Sequence, residues 1–357
     1  MTRPDDLLQE LYNLRALTLN QIARLRFDGD EEAAYSAVRT LREKKLVLVR
    51  ALPSDKRVRY VCVKTATVDD YEIDPDGRKY VVPRTKSGPR LLAVNEVYVQ
   101  AVTAGVPRSV LIPRHEAFRR FGLKEPQIPL AWAIEVGPRR YAVYANHRKQ
   151  YRDGLEKQLG KIPGGTFTGH LLFHSNPIFA KRDRKRFLKT APALNFHVLT
   201  YEDMPAVKGL LLSPDGWLET LRKRLAVIAP GARIVPSPDP RADWVMERRA
   251  KTFLADLRLG NVGTAAALNT FTDMELRQKN YEGALFLVRD VKQAKEWGRL
   301  LGWREWHWFV AESEPVERCL FKVRNQALQP VVVQAKLPAG KPQQTTLFDE
   351  RRPNVAP

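Results

Sequence analysis

The apolar side chains change their spacing once within residues 1–65, and that change restricts the fold more than any other feature of the chain. Leu7, Leu8, Leu11 and Leu14 recur at helical spacing and predict a first amphipathic helix. Thr18 is placed to cap a second helix with Ile22 and Leu25 inward, and the stretch FDGD ends it at Gly29. Asp30 opens a third helix, whose apolar positions Ala34, Ala37, Val38 and Leu41 leave Tyr35, Ser36, Arg39 and Arg42 on the opposite side. After it the period becomes that of a strand. LVLVRAL and RVRYVCV are β-branched runs separated by PSDK, which is a hairpin signature.

Helix, helix, turn, helix and basic hairpin is the order of a winged helix-turn-helix, whose third helix enters the major groove. Its hairpin tip would carry Lys56, Arg57 and Arg59 to phosphates. The alternative is a small module used for dimerisation or protein contact, and a homodimer is one such assembly. Charge favours DNA. The 357-residue chain holds 60 Lys and Arg against 40 Asp and Glu, a net charge of +20, which implies a polyanionic partner. Double-stranded DNA is the leading expectation, with single-stranded DNA the second. A membrane surface is not expected, because no long apolar run, signal peptide or lipidation motif is found, and the expected location is cytoplasmic. Cys62 and Cys319 are too few for a disulfide framework or a zinc cluster.

The remainder reads as α/β. DDYEIDPDGRKYVVPRTKSGPR is dense in charge, Pro and Gly and is expected to be a linker. A helix at LLAVNEVYVQAVTAG follows, then a strand near Val110, a small helix from Arg114, and strands IPLAWAIEV and RYAVYAN joined at Gly137 and Pro138. Helix HRKQYRDGLEKQLGK leads to strand HLLFH, and helix KRDRKRFLK leads to strand FHVLT. Such alternation implies a mixed sheet covered by helices. Beyond SPDGWLETLRKRLAVIAPG, a helix, the stretch RIVPSPDPRADW reads as a Pro-rich boundary. GTAAALNTFTDMELRQKN is expected as a helix, and strands ALFLVRD and EWHWFVA flank the helix VKQAKEWGRLLGW. The expected domains are 1–65, a winged helix; 66–90, a linker; 91–235, an α/β domain; 236–330, a second and smaller α/β unit or an extension of the first sheet; and 331–357, a disordered tail.

A winged helix, a helix of LAVNEV type, a strand hairpin, a basic helix, an LLFH strand and a closing FHVLTYEDM strand together resemble the bacterial replication-relaxation family. That family is related to relaxases with a restriction-endonuclease-like catalytic domain, and the resemblance covers roughly residues 5–215 as an order of elements. It implies a restriction-endonuclease-like fold for the α/β domain. Nucleases of this fold place a Pro-Asp at one strand and a Glu or Asp followed by Lys on the next, so that two carboxylates hold Mg²⁺. Here Pro129 is followed by Leu130, and the second strand offers Tyr144 to Asn146 without a carboxylate. Glu135 and Glu116 are the nearest acids, Lys149 the nearest amine and Tyr144 a conceivable nucleophile. Glu135 reads better as a strand-end residue paired with Arg139 or Arg140. His115, His147, His170 and His174 are spread over different elements and do not rebuild the site. No metal or other cofactor is expected unless the nuclease alternative holds. Pro238-Asp239 with Asp256 and Arg258 is a faint displaced version of the same pattern.

What the chain has in abundance is base. HRKQYR brings Arg148, Lys149 and Arg152; KRDRKRFLK brings Lys181, Arg182, Arg184, Lys185 and Arg186; LRKRL adds a third run, with Tyr151 and Phe187 interleaved. Three such runs predict a surface that tracks phosphates. Trp297, Trp303, Trp306 and Trp308 read as core, with stacking on bases as the alternative. In the tail, Gln344, Leu347 and Phe348 fit the Gln-x-x-Leu-Phe pattern of peptides that bind the bacterial sliding clamp. The expected function is therefore a DNA-binding replication or mobilisation protein of a plasmid or mobile element that recruits the host machinery without cleaving DNA. The alternatives are a metal-dependent nicking endonuclease or relaxase, and a winged-helix transcriptional regulator.

Overall fold

The computed structural model describes residues 4–53, 55–70, 82–84, 87–124, 130–146, 155, 159, 161–190, 195–213 and 215–331. It is a mixed α/β structure with three sheets. By contact it divides into two units, residues 1–181 with 198–212 and residues 182–197 with 213–357.

The first unit opens with α1 (Pro4–Leu14), β1 (Leu17–Thr18), α2 (Leu19–Arg26), α3 (Glu31–Glu43), β2 (Val47–Ala51) and β3 (Arg59–Val63). Leu7, Leu8, Leu11 and Leu14 are buried, as their spacing requires. Thr18 caps α2 through a capping box with Gln21, and the Asp30 carboxylate accepts from the backbone N–H groups of Glu32 and Ala33 at the start of α3. The hairpin pairs antiparallel and β1 joins it in the order β1-β3-β2. A helix α4 (Thr65–Asp70) occupies part of the stretch expected as a linker.

Helix α5 (Gly88–Thr103) is bolted to the helical segment by buried polar groups. The Asn95 amide donates to the carbonyls of Leu14 (2.8 Å) and Ala16 (2.5 Å), and Arg24 pairs with Glu96 at 2.7 Å. These bonds satisfy carbonyls left open where α1 ends. Leu92 of α5 completes a small core with Ala16, Leu52, Tyr60 and Cys62, so hairpin and helix share one apolar cluster.

A five-stranded sheet follows in the order β4 (Leu111–Pro113), β5 (Trp132–Val136), β6 (Arg139–Asn146), β7 (Gly169–His174), β8 (Phe196–Thr200). Strands β4, β5 and β6 are antiparallel neighbours, and β6 with β7 is parallel. The helices are α6 (Arg114–Arg120), α7 (Pro177–Thr190) and α8 (Met204–Leu212). Val97 and Ala101 of α5 and Met204 of α8 face Ile134, Val143 and Phe173 around a small apolar gap.

The second unit contains α9 (Gly216–Ile228), β9 (Arg233–Pro236), β10 (Trp244–Glu247), β11 (Lys251–Asp256), α10 (Val262–Leu268), α11 (Asp273–Gln278), β12 (Tyr281–Val288), α12 (Val291–Leu300), β13 (His307–Ala311), β14 (Leu320–Arg324) and β15 (Ala327–Pro330). The strands form one seven-stranded sheet in the order β15-β14-β13-β12-β11-β10-β9. Its centre, β11-β12-β13, is parallel and linked by helices, and its flanks are antiparallel hairpins. Leu254, Leu285 and Trp308 form one cross-strand row in a core with Leu221 and Leu225 of α9. The neighbouring row, Phe253, Ala284 and His307, therefore faces the other side.

Three expectations are corrected here. The second α/β part is a seven-stranded sheet of its own and not an extension of the first. The stretch RIVPSPDPRADW is no boundary: it pairs as β9 and β10, with Pro236 on an edge strand where a missing N–H does no harm. The single helix expected at GTAAALNTFTDMELRQKN is two, because Thr272 starts a fresh capping box with Glu275. Among the described residues no helix is long and apolar enough to cross a membrane.

Candidate nucleic-acid interface

Burial of Ala34, Val38 and Leu41 fixes the orientation of α3, and Tyr35, Ser36, Arg39 and Arg42 are all exposed on its outer side. Tyr35 has 59% of its surface open, unusual for an aromatic side chain. Arg39 pairs with Glu43 one turn on at 2.8 Å, but both side chains are well exposed, and such a pair is weak enough to open for a phosphate. Glu31 is held at the start of the helix by the Asn20 amide at 2.8 Å, where it complements the helix dipole.

At the hairpin tip, Lys56, Arg57 and Arg59 are exposed. Asp55 shapes that turn: its carboxylate accepts from the Arg57 backbone N–H at 3.0 Å and from the guanidinium at 3.3 Å. Helix α3 and the hairpin belong to the same unit, so a cation-bearing helix face and a cation-bearing tip occur together.

Helix α7 splits its predicted cations. Lys181, Arg182 and Lys185 are exposed, whereas Arg184 and Arg186 are half-buried. Arg184 lies 3.6 Å from Glu296 of α12 and is committed to that pair. Phe187, a candidate for interleaved stacking, is buried against Phe196 with ring centroids 4.9 Å apart. In the LRKRL run Arg222 and Lys223 are exposed, but Arg224 donates to the carbonyls of Glu314 (2.9 Å) and Glu312. Arg148, Lys149, Tyr151 and Arg152 lie outside the described residues, as do Gln344, Leu347 and Phe348.

The nuclease candidates are occupied otherwise. Glu135 on β5 is gripped by Arg140, its cross-strand partner, at 3.0 Å and by Arg120 at 2.5 Å. Tyr144 is fully buried and its hydroxyl shares a hydrogen bond with His170 Nδ1 at 3.0 Å, which removes it as an attacking group at the surface. Glu116 is half-buried on α6. The displaced pattern fails as a metal pair, because each acid is consumed in its own ion-pair network. Asp239 accepts from Arg241 at 3.0 and 3.1 Å and from Lys279 at 3.0 Å, and these bonds hold its carboxyl well below the usual range. Asp256 takes Arg258 in a two-pronged pair, and Arg258 also reaches Glu312 at 2.8 Å. Among the described residues no three His, Cys, Asp or Glu side chains gather as a metal site.

Trp297, Trp306 and Trp308 are buried, and Trp303 packs over Gly298, so this group is core rather than a stacking platform. His197 and His307 are also buried, and desolvation lowers them to about 4 and about 3. Sequence reasoning missed a cleft in the first unit between α1, α5 and α6. One signal for it existed. Glu10 shares the inward stripe of α1 with Leu7, Leu11 and Leu14, and a carboxylate there must find partners inside.

The chain matches no family model, no curated protein and no solved structure.

Proposed function

We propose that this chain is a duplex-DNA-binding protein that reads a site through α3 and the basic hairpin, acting in replication or mobilisation of a plasmid or another mobile element. The observation that carries the reading is the outer face of α3, where Tyr35, Ser36, Arg39 and Arg42 are all exposed just after the α2–α3 turn and just before a hairpin tipped by Lys56, Arg57 and Arg59. A helix face of that composition can offer side chains to base edges while the tip takes phosphates. The pairing of β1 with the hairpin supports a winged helix-turn-helix. The order of elements through β8 supports the relation to the replication-relaxation family, with the five-stranded sheet as its restriction-endonuclease-like part. Lys181, Arg182 and Lys185 are further exposed cations, on α7. Binding without cleavage is the favoured mode, because Glu135 is held by two arginines and Tyr144 is sealed in the core.

Replacing Arg39 and Arg57 together by Ala is expected to weaken duplex binding by about tenfold or more at 0.15 M salt. It should also flatten the slope of log affinity against log salt by about 2, near 0.9 for each phosphate no longer neutralised. Fluorescence anisotropy across a salt series measures both, and an unchanged slope would remove α3 and the hairpin from the interface. Recruitment is proposed to run through Gln344, Leu347 and Phe348. An apolar pair with a directed amide is an anchor-and-polar arrangement suited to a sliding-clamp cleft. Leu347→Ala with Phe348→Ala should weaken clamp binding at least tenfold in a surface-immobilised assay while leaving DNA affinity unchanged. Equal clamp affinity in the variant would discard the motif.

A further inference from the structure

The cleft beside α1 has a chemistry at odds with the rest of the molecule. It has a volume of about 370 Å³ and is lined by residues of the first unit only, which places it in the size range of small-molecule sites. Its positive charges are already spent. Glu10, only 5% exposed, takes Arg108 on one carboxylate oxygen at 2.8 Å and Arg26 on the other at 2.5 Å. The same two guanidiniums also donate to backbone carbonyls, Arg108 to Leu25 at 2.7 Å and Arg26 to Asp6 at 3.1 Å.

Its negative charges are not spent. The carboxylates of Asp6, from α1, and Glu116, from α6, both line the cleft, and neither has an ion pair or a hydrogen bond among the described residues. An aromatic wall, Tyr98 and Trp132 with ring centroids 4.7 Å apart, lines the same cleft. In a chain of net charge +20, a cleft whose uncommitted charges are both acidic repels the phosphates that the rest of the surface attracts.

We infer that this cleft binds a small aliphatic di- or polyamine. Ammonium groups at the two ends of such a molecule meet the Asp6 and Glu116 carboxylates, and its positive charge lies against aromatic faces that attract cations. A dianion of similar length meets two uncommitted carboxylates, the amides of Gln9 and Asn13, and guanidiniums already engaged by Glu10. The inference does not depend on the DNA-binding reading, since no residue of α3 or the hairpin takes part.

The test is calorimetric titration of the full chain, freed of nucleic acid, in 0.15 M salt, with spermidine and separately with glutarate. Saturable 1:1 spermidine binding, a rise in melting temperature with spermidine and no glutarate binding are expected. The double variant Asp6→Asn, Glu116→Gln should lose at least tenfold in spermidine affinity. Its melting temperature without ligand should fall by no more than about 3 °C, because both carboxylates lie in the first turns of α1 and α6 and complement the helix dipoles without holding an ion pair. The inference is overturned if spermidine shows no saturable binding, if glutarate binds instead, or if the double variant binds spermidine as tightly as the parent.

Discussion

Gly283→Ala is expected to destabilise the second unit by about 4 kcal/mol, a large part of the roughly 5–15 kcal/mol that holds an ordinary domain folded. Gly283 sits on β12 at a φ of +152°, beside the register shift between Lys251 and Thr252 on β11. A methyl group there would stand 2.1 Å from the Trp306 carbonyl oxygen and 3.1 Å from the Trp306 Cβ. The oxygen cannot swing away, because it accepts the backbone N–H of Ala284 at 3.0 Å, one of the bonds that begins the β12–β13 ladder. Alanine therefore adds backbone strain to a collision with backbone, and relief means breaking the parallel pair at the centre of the sheet. Gly302→Ala is the control: it also has positive φ, but a methyl group meets nothing within 4 Å, so a loss of about 1 kcal/mol is expected. Urea unfolding followed by tryptophan fluorescence reports on this unit, since every tryptophan but Trp132 lies in it. Equal midpoints for the two variants would contradict the close approach at Trp306.

Local signals carried the first 65 residues. Thr18 and Asp30 are side chains whose capping geometry depends only on neighbours two or three residues on, so their place in the chain foretells their place in the fold. Strand β15 shows the limit of that kind of reading. It returns from β14 through Asn325 and Gln326, both at positive φ, but the familiar Asn-Gly signal is absent and the hairpin was not foreseen. The Pro-rich stretch after β9 misled for a related reason: proline marks an edge strand as readily as a loop, and only the pairing decides. The exposed cations are legible in outline and blurred in detail. Period alone separates Lys181, Arg182 and Lys185 from the buried Asp183 and Phe187, yet the capture of Arg184 by Glu296 depends on a residue more than 100 positions away. The amine cleft is the extreme case. Asp6, Arg26, Arg108 and Glu116 come from separate segments, and nothing local links them.

Acidification from pH 6.5 to pH 5 is expected to remove about 3 kcal/mol of stability from the second unit through two histidines, His197 and His307. Both are buried and neutral when folded, with burial the dominant cause, and they titrate at about 4 and about 3. In the unfolded chain each returns to about 6.5. Well above pH 6.5 neither state is protonated and their effect vanishes. Below it the unfolded chain takes up protons that the fold refuses, so each histidine costs about 1.4 kcal/mol per pH unit until its folded value is reached. Carboxylates act later. Asp239, held low by Arg241 and Lys279, surrenders its contribution only below pH 4, while Glu282, raised by burial, works weakly in the opposite sense. His307 isolates the effect, since both its ring nitrogens are buried without a hydrogen-bond partner beside Phe286 and Trp306. His307→Phe keeps a ring in that place and removes two desolvated polar atoms, so it should match or exceed the parent at pH 7 by about 1 kcal/mol. It should also halve the loss between pH 6.5 and pH 5. His197 keeps the other half: burial holds its imidazole neutral, against the Leu259 carbonyl, which accepts from Nδ1 at 3.2 Å and favours the proton. Denaturation curves at half-unit pH steps for parent and variant separate the two outcomes: parallel curves would mean that His307 is protonated in the fold, and with it that the face of the sheet behind Phe286 admits water.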